Sequence, residues 1–216
     1  MPVKRAGRPP REIAAQLGDR ILSAAETLFL QQGYGATTIG QIATQIGATK
    51  RTVYVRFIDK AGLFHAVVKR VLDARRPRIK AIAAECTVDK RLHDMALGLL
   101  SYALDPDVVR VLRVVTAEAH RFPELNRMIE EQAAVGVAWT VEQVLADEVR
   151  LGRLRFHDTS LAARLLLSLI TGVPGREASR GAKPLSRADR QQWAKEAIAL
   201  FLDGARATKQ GISDPG

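Results

Sequence analysis

The sequence predicts an all-α protein in which a small N-terminal helix-turn-helix domain is joined through a fourth helix to a larger C-terminal helical domain. Apolar residues recur three and four positions apart along most of the 216 residues, which is the spacing of one face of a helix. Alternating runs of β-branched residues, the pattern of strands, are absent, and glycine and proline lie mainly between the periodic stretches. Apolar residues make up 47% of the chain, which is enough for a substantial buried core.

The N-terminal residues are expected to form an arm followed by a first helix. Residues 1–16 contain three prolines and several charges, which predicts a flexible basic arm. The first helix is expected to begin near Gly18 or Asp19 and to end at Gly33, because glycine is favoured just after a helix. Its apolar stripe consists of Ile21, Leu22, Ala25, Leu28 and Phe29.

Two short helices with a tight turn between them follow. Thr38 and Gln41 have the S/T-x-x-E/Q spacing of a capping box, which predicts the start of a second helix that ends at Gly47. Thr49 is the expected N-cap of a third helix, which runs to about Arg56. Two short helices joined in this way form a helix-turn-helix.

The rest of the chain is expected to be helical, with breaks at proline and glycine. Asp59 is the expected cap of the fourth helix, and Pro77 should kink or split that helix. The glycine- and proline-containing segment 172–186 is expected to be a loop. Residues 63–216 would then form the larger domain. Its further helices are expected at about residues 89–104, 106–121, 124–151, 158–172 and 187–207.

The charge of the chain is confined to its first part. The whole chain has a formal net charge of +10, and residues 1–80 contain fifteen Lys and Arg against five Asp and Glu, so the remainder is neutral. A basic segment attached to a neutral one is typical of an anion-binding module, and nucleic acid is the expected partner. A membrane surface is less favoured, because no segment combines this charge with a Trp/Phe/Leu-rich face. The cluster Lys69–Lys80 is interpreted as a solvated helix face.

The third predicted helix has one apolar side and one side suited to DNA. Val53 and Phe57 lie four positions apart and are expected to pack inward. The opposite side then carries Lys50, Arg51, Tyr54 and Val55. A helix that enters the major groove by its N-terminal end needs such a side.

Each of these side chains has a chemistry that suits a nucleic acid. Arg51 or Lys50 can bind guanine O6 and N7, whereas the hydroxyls of Thr49, Thr52 and Tyr54 suit phosphate oxygens. A solvated helix face over a buried seam is the alternative interpretation. The charge asymmetry, the capping box and the basic arm together favour the DNA interpretation.

Residues 37–64, TTIGQIATQIGATKRTVYVRFIDKAGLF, resemble the DNA-binding signature of the tetracycline-repressor (TetR) family of bacterial regulators. The resemblance covers about residues 18–65, and it supports the assignment of residues 17–62 to a DNA-binding domain. The matching positions are Thr38, Ile42, Ala43, Gly47, Thr49, Thr52, Tyr54, Phe57, Lys60 and Leu63. Thr38 and Lys60 are therefore added to the expected DNA contacts. Arg51 stands where the family usually has glycine, so the preferred operator could differ from those of glycine-bearing relatives.

The resemblance also implies an activity. Members of this family are all-helical homodimers in which each subunit places one recognition helix in a major groove of a palindromic operator. A small effector binds the C-terminal domain and changes the separation of the two recognition helices, and repression is the usual output. The implied partners are double-stranded operator DNA, a second copy of the chain and an unidentified small molecule. A non-specific architectural DNA-binding protein and an enzyme with a basic targeting segment are the alternatives.

Candidate residues for these further sites come from the predicted helices. In the arm, Arg8 is flanked by glycine and proline and is expected either to enter a narrow minor groove or only to add charge. Polar and aromatic candidates for the effector pocket are Tyr102, Thr116, Glu118, His120, Trp139 and Gln143. The apolar run LAARLLLSLI and a stripe on the last helix are the expected dimer interface, through Leu161, Leu165, Leu169, Trp193, Ala197, Leu200 and Phe201.

Nothing in the sequence indicates an enzyme, a cofactor or a metal site. The four histidines are scattered, and neither a nucleophile-elbow nor a phosphate-loop motif is present. Cys86 is interpreted as a small apolar filler, with a thiol sensor as the alternative, and a single cysteine excludes an intramolecular disulfide. No signal peptide or membrane-spanning run is recognised, so a cytoplasmic protein is expected.

Overall fold

The computed structural model describes residues 11–76, 87–125, 127–128 and 134–205. All regular elements in these residues are helices, so the all-α prediction is confirmed. Contacts divide the chain into two compact units. We call residues up to 74 together with 110–129 the N-terminal unit, and residues 75–109 together with those from 130 onwards the C-terminal unit. None of the described helices is long and apolar enough to cross a membrane.

The N-terminal unit is built on four helices and part of a fifth. These are α1 (Arg11–Gln32), α2 (Ile39–Gln45), α3 (Lys50–Arg56), most of α4 (Lys60–Arg75) and the later turns of α6 (Pro106–Glu118). The apolar faces of the first four meet in a common core. Its fully buried side chains include Ile21, Ala25, Phe29, Ile42, Val53, Leu63, Phe64 and Val67.

The first helix begins earlier than the sequence indicated. It starts at Arg11 rather than near Gly18, so the last six residues of the predicted flexible arm are helical. The prediction overrated Gly18 as a helix start, because glycine in a helix interior costs only about 1 kcal/mol relative to alanine. The Arg56 guanidinium also covers Gly18, since a Cβ built on that glycine would lie 2.8 Å from Arg56 Nε.

The predicted caps of the short helices are confirmed. Thr38 forms a capping box with Gln41, in which each side chain accepts a hydrogen bond from the backbone N–H of the other. Thr49 Oγ1 accepts from the Thr52 N–H at 3.2 Å. Asp59 Oδ1 accepts from the N–H of Gly62 at 2.6 Å, in the first turn of α4. These contacts satisfy N–H groups that helix starts leave without partners.

The C-terminal unit packs four helices around a second core. It contains α5 (Val88–Ala103), the first turn of α6, a π-helical turn (Ala134–Ala138) that leads into α7 (Trp139–Arg150), α8 (Thr159–Ser179) and α9 (Arg187–Ala205). The core is lined by side chains that include Leu92, Leu99, Leu145, Leu166, Ile170 and Ile198. The single helix predicted over 124–151 is thus partly π-helical, and residues 126 and 129–133 lie outside the described residues.

The predicted loop over 172–186 is wrong in its first half. Helix α8 continues to Ser179, with Pro174 buried inside it. Proline lacks an N–H, so the carbonyl of Ile170 loses its normal helical donor. The indole N–H of Trp193 replaces that donor, with 2.9 Å between Trp193 Nε1 and Ile170 O. A donor from the next helix therefore offsets the break that proline alone would cause.

Two sequence predictions lie outside the described residues. The expected kink at Pro77 follows α4, which ends at Arg75. Cys86 precedes α5. The kink at Pro77 and the apolar role of Cys86 therefore stay predictions.

Candidate nucleic-acid interface

Helix α3 has the two-sided character that its sequence predicted. Val53 is fully buried, while the Tyr54 and Val55 side chains are 49% and 81% exposed. Lys50 and Arg51, in the first turn, are also exposed. The structure thus brings the predicted Lys50, Arg51, Tyr54 and Val55 together on the solvent side of one seven-residue helix.

The threonine hydroxyls of the predicted site already form hydrogen bonds within the chain. The hydroxyls of Thr49 and Thr52 lie 2.9 Å apart and form one hydrogen bond. The Thr38 hydroxyl donates to Gln41 Oε1 at 2.9 Å. All three hold helix starts in place, and any phosphate contact that they make has to use their remaining hydrogen-bonding capacity.

Lys60 lies against the turn between α1 and α2. Its ammonium donates to the carbonyl of Gly35 at 3.3 Å and lies 4.4 Å from the centre of the Tyr34 ring. Burial lowers the pKa of Lys60, and the nearby Glu118 carboxylate opposes that effect. The structure therefore gives Lys60 an intramolecular role, and its contact with DNA stays a prediction.

Tyr34 is the centre of an aromatic cluster that the sequence did not indicate. Its ring packs on Phe29, Phe64 and Phe122, with ring centres 5.8, 5.1 and 4.8 Å away. Burial and three nearby carboxylates, those of Glu124, Asp59 and Glu118, raise the pKa of Tyr34 to about 12. The cluster fixes the turn from which α2 starts.

Glu118, a predicted effector-pocket residue, contacts the same turn. Its Oε1 accepts the N–H of Gly35 at 2.7 Å. A Cβ at Gly33 or Gly35 would lie 3.0 Å from the Glu118 carboxylate, so both glycines allow the close approach. The pair of glycines around Tyr34 is the signal by which the sequence could have indicated this contact.

Charge on the neighbouring helix α4 is largely paired. Arg70 contacts Glu26 and Ser23, Lys69 Nζ lies 2.6 Å from Asp73, and Arg75 contacts Asp105 and Asp107. Within the described part of the chain, none of the ion pairs involves Lys50 or Arg51. The cations of α3 are therefore more available to an external anion than those of α4. Arg8 lies outside the described residues.

The six effector-pocket candidates fall in different units. Thr116, Glu118 and His120 belong to the N-terminal unit, whereas Tyr102, Trp139 and Gln143 belong to the C-terminal unit. Trp139 directly follows the π-helical turn and is 44% exposed. Such turns are frequent at functional sites, and Trp139 is thus the candidate with an independent structural indication. In the described residues, no group of three or more His, Cys, Asp or Glu could hold a metal ion.

The predicted dimer residues divide into exposed and buried ones. Leu161, Leu165 and Leu200 are exposed, as is Val173, which the sequence did not indicate. The prediction for Ala197 is corrected, because its side chain is buried in the core of its own unit. The three remaining candidates, Leu169, Trp193 and Phe201, are half-buried against the same core.

An all-helical protein with a capped helix-turn-helix and an exposed basic third helix belongs to the class of sequence-reading DNA-binding proteins. A model of the tetR family of bacterial regulatory proteins matches residues 21–67, and a model of the C-terminal domain of AefR-like transcriptional repressors matches residues 90–204. The chain therefore belongs to the TetR family of transcriptional regulators, as the sequence signature predicted.

Individual relatives agree with this assignment. The transcriptional repressor BepR of Brucella suis is 37% identical over 168 residues, which are 74% of this chain and 79% of BepR. The repressor ComR of Escherichia coli is 36% identical over 78 residues, which are 35% of this chain and 37% of ComR. The comparisons give no support to a non-specific architectural protein.

Solved structures share the fold over most of its length. A TetR-family regulator from Mesorhizobium loti superimposes with a TM-score of 0.78 at 26% identity and covers 90% of this chain and 98% of its own. A flavonoid-responsive regulator, FrrA, gives a TM-score of 0.77 at 26% identity, and the match covers 90% of this chain and 99% of FrrA.

Proposed function

We propose that a homodimer of this chain represses transcription in the cytoplasm by binding a palindromic operator, and that a small molecule bound by the C-terminal helices releases the DNA. The observation that supports this most is the two-sided helix α3. Val53 anchors the helix in the core, and Lys50, Arg51, Tyr54 and Val55 are left for an external partner.

The exposed side of α3 suits the major groove in size and chemistry. An α-helix with its side chains is about 10–12 Å across, and the major groove is about 12 Å wide. Arg51 offers a planar guanidinium for guanine or phosphate, and Val55 offers an apolar surface for a thymine methyl group. Thr38, Thr49, Thr52, Tyr54 and Lys60 are proposed to contact the DNA backbone.

The dimer is proposed to form through exposed apolar side chains of the last two helices. Leu161, Leu165 and Val173 lie on α8, and Leu200 lies on α9. Contiguous exposed apolar surface marks an interaction site, and these four side chains are proposed to supply it. A two-fold axis would pair α8 and α9 with their copies and place two α3 helices on one DNA duplex.

The effector is proposed to bind within the C-terminal helices. Trp139 supplies an aromatic surface beside the π-helical turn, and the flavonoid-responsive regulator shows that a structural neighbour responds to an aromatic molecule. An aromatic or apolar effector therefore fits the residues better than a strongly charged one.

The test is a selection of bound sequences from random double-stranded DNA. The expected result is one enriched inverted repeat whose half-sites lie about one helical turn apart. The matched control is Lys195→Ala, which removes one exposed cation from α9 and should enrich the same repeat. Enrichment of no sequence at physiological salt would contradict operator binding.

A further inference from the structure

The first cation of α3 lies across the neighbouring helix α2. A Cβ built on Gly40 of α2 would lie 2.9 Å from Cε of Lys50 and 3.6 Å from its Nζ. Carbon atoms do not approach that closely without a shift, so the Lys50 side chain occupies the space that any larger residue at position 40 would fill. The same Cβ would lie 3.7 Å from Thr38 Oγ1, so Lys50 is directed to the first turn of α2.

No backbone requirement explains the glycine at position 40. The positive-φ glycines among the described residues are Gly33, Gly47, Gly152 and Gly181, so Gly40 has a conformation that any residue adopts. Its carbonyl takes part in α2 and also accepts the hydroxyl of Thr44 at 2.9 Å. Gly40 is the second residue of α2, where alanine is a better helix former than glycine. Because glycine has no side chain, position 40 leaves a space that the end of Lys50 occupies.

We propose that Gly40 is a positioning residue for DNA binding, which directs the Lys50 ammonium over α2 so that it binds a DNA phosphate instead of a base. This inference rests on the proposed function, since it takes the exposed side of α2 and α3 as the surface that meets DNA.

The direction of the side chain decides between the two roles. In a helix-turn-helix complex the second helix lies in the major groove, whereas the first helix crosses the sugar-phosphate backbone. A cation that starts on α3 but lies over α2 is moved away from base edges and towards the backbone. A lysine ammonium suits this position, because it binds phosphate as a compact point charge without a required plane. Arg51 is exposed in the first turn of α3, which keeps the base-reading role open to that residue.

The test is a double-mutant cycle of Gly40→Ala and Lys50→Ala in the full-length protein. The new methyl group displaces only the flexible end of Lys50, so Gly40→Ala should fold as well as the parent. With Lys50 present, Gly40→Ala is expected to weaken binding to the selected operator by about threefold to tenfold. In the Lys50→Ala background the same change should have no effect on affinity.

The salt dependence of binding supplies a readout that a purely structural role would not move. Lys50→Ala should lower the slope of log affinity against log salt by about one unit. Gly40→Ala should lower it by a part of that unit, and the preferred DNA sequence should be the same for all variants. The matched control is Gly175→Ala in α8, where an added Cβ meets nothing within 4 Å and the slope should stay unchanged.

Three results would overturn the proposal. The first is that Gly40→Ala weakens operator binding equally with and without Lys50, and the second is that it leaves the affinity unchanged in both backgrounds. The third is that Lys50→Ala changes the preferred base at one position of the operator. Failure of the proposed function is a separate result, in which the parent protein itself binds selected and random DNA equally well.

Discussion

The guanidinium of Arg91 and the carboxylate of Glu148 form an ion pair inside the C-terminal unit, with 2.6 Å between Arg91 Nη1 and Glu148 Oε1. Their side chains are 8% and 0% exposed. Arg91 also contacts Asp147 at 3.0 Å, and Arg153 Nε lies 2.8 Å from the second Glu148 oxygen. Burial acts to lower the pKa of Arg91, but the hydrogen bonds to Glu148 and Asp147 outweigh it and raise that pKa. The pair ties α5 to α7 through charge.

Glu148→Gln is expected to destabilise the protein strongly. Removal of one partner of a buried ion pair costs about 3–5 kcal/mol when the other charge is left uncompensated. Arg91 keeps its contact with Asp147, so the expected loss lies near the lower end of that range. The adjacent Asp147→Asn is the matched control: it removes the 36% exposed partner of Arg91 and leaves the buried Glu148 in place, so it is expected to cost less. Urea unfolding measures both free energies. Equal losses for the two variants would contradict the distinction.

The Trp193–Ile170 hydrogen bond is expected to matter only because of Pro174. Trp193→Phe should cost about 1–2 kcal/mol, since it leaves the Ile170 carbonyl without its donor. In a Pro174→Ala background an alanine N–H can reach the same carbonyl along the helix, so the hydrogen-bond part of that cost should disappear. A double-mutant cycle by urea unfolding gives the coupling. Additive effects would show that the indole N–H does not replace the missing donor.

Tyr34 is expected to make the protein less stable in alkali. Its pKa is about 12 in the folded protein and 10.0 without the fold. Below pH 10 both states keep the proton, and between pH 10 and 12 only the unfolded chain releases it. The free energy of unfolding should therefore fall by about 2–3 kcal/mol over this range because of Tyr34.

Tyr34→Phe isolates that contribution, because the other titrating groups are common to both proteins. The difference in unfolding free energy between parent and variant should be constant below pH 10 and shrink towards pH 12. Parallel curves across the whole range would contradict the raised pKa.

The double variant Leu165→Glu, Leu200→Glu is expected to be monomeric. Both side chains are well exposed, at 59% and 67%, so charge there should disturb an interface and leave each fold intact. Phe201 is unsuitable for this test, because its ring packs on Phe156 in the same chain. Sedimentation at micromolar concentration measures the state, and Leu151→Glu changes an exposed leucine outside the proposed interface. A parent protein that sediments as a monomer would refute the proposed dimer.

Arg51→Ala distinguishes base reading from phosphate contact. Loss of a bidentate contact with guanine should cost about 1–3 kcal/mol on the best operator and relax the preference at one base pair in each half-site. Loss of a phosphate contact should weaken all sequences alike and lower the salt slope by about one unit. Repeating the selection from random DNA with the variant separates these results, and unchanged affinity at low salt excludes both.

Local sequence patterns predicted the helix-turn-helix and the start of α4 well. Thr38, Thr49 and Asp59 cap helices through contacts three residues along the chain, and such contacts depend on nearby sequence alone. The burial of Val53 followed from helical spacing in the same way. The family signature combined these local features, so class and fold were both accessible.

The errors arose where a distant residue changes a local preference. Pro174 stays in a helix because Trp193 supplies a donor from another helix. Spacing also did not predict the hydrogen bond between Gly35 and Glu118, which lie 83 residues apart, and the assignment of Glu118 to an effector pocket stays a prediction. Ala197 was assigned to a surface stripe, although the side of α9 on which it lies faces the core. Spacing along one helix does not reveal which of its sides a neighbour covers.

The Glu118–Gly35 hydrogen bond joins residues 83 positions apart, and it has a consequence for synthesis. A ribosome adds about 5–20 residues each second, so the turn that starts α2 emerges several seconds before the carboxylate and the Phe122 ring that complete its packing. During that interval Tyr34 lacks one of its aromatic neighbours. A nascent chain that ends at α4 carries every residue of the DNA-reading helices, but it reaches its final stability only after α6 has been translated.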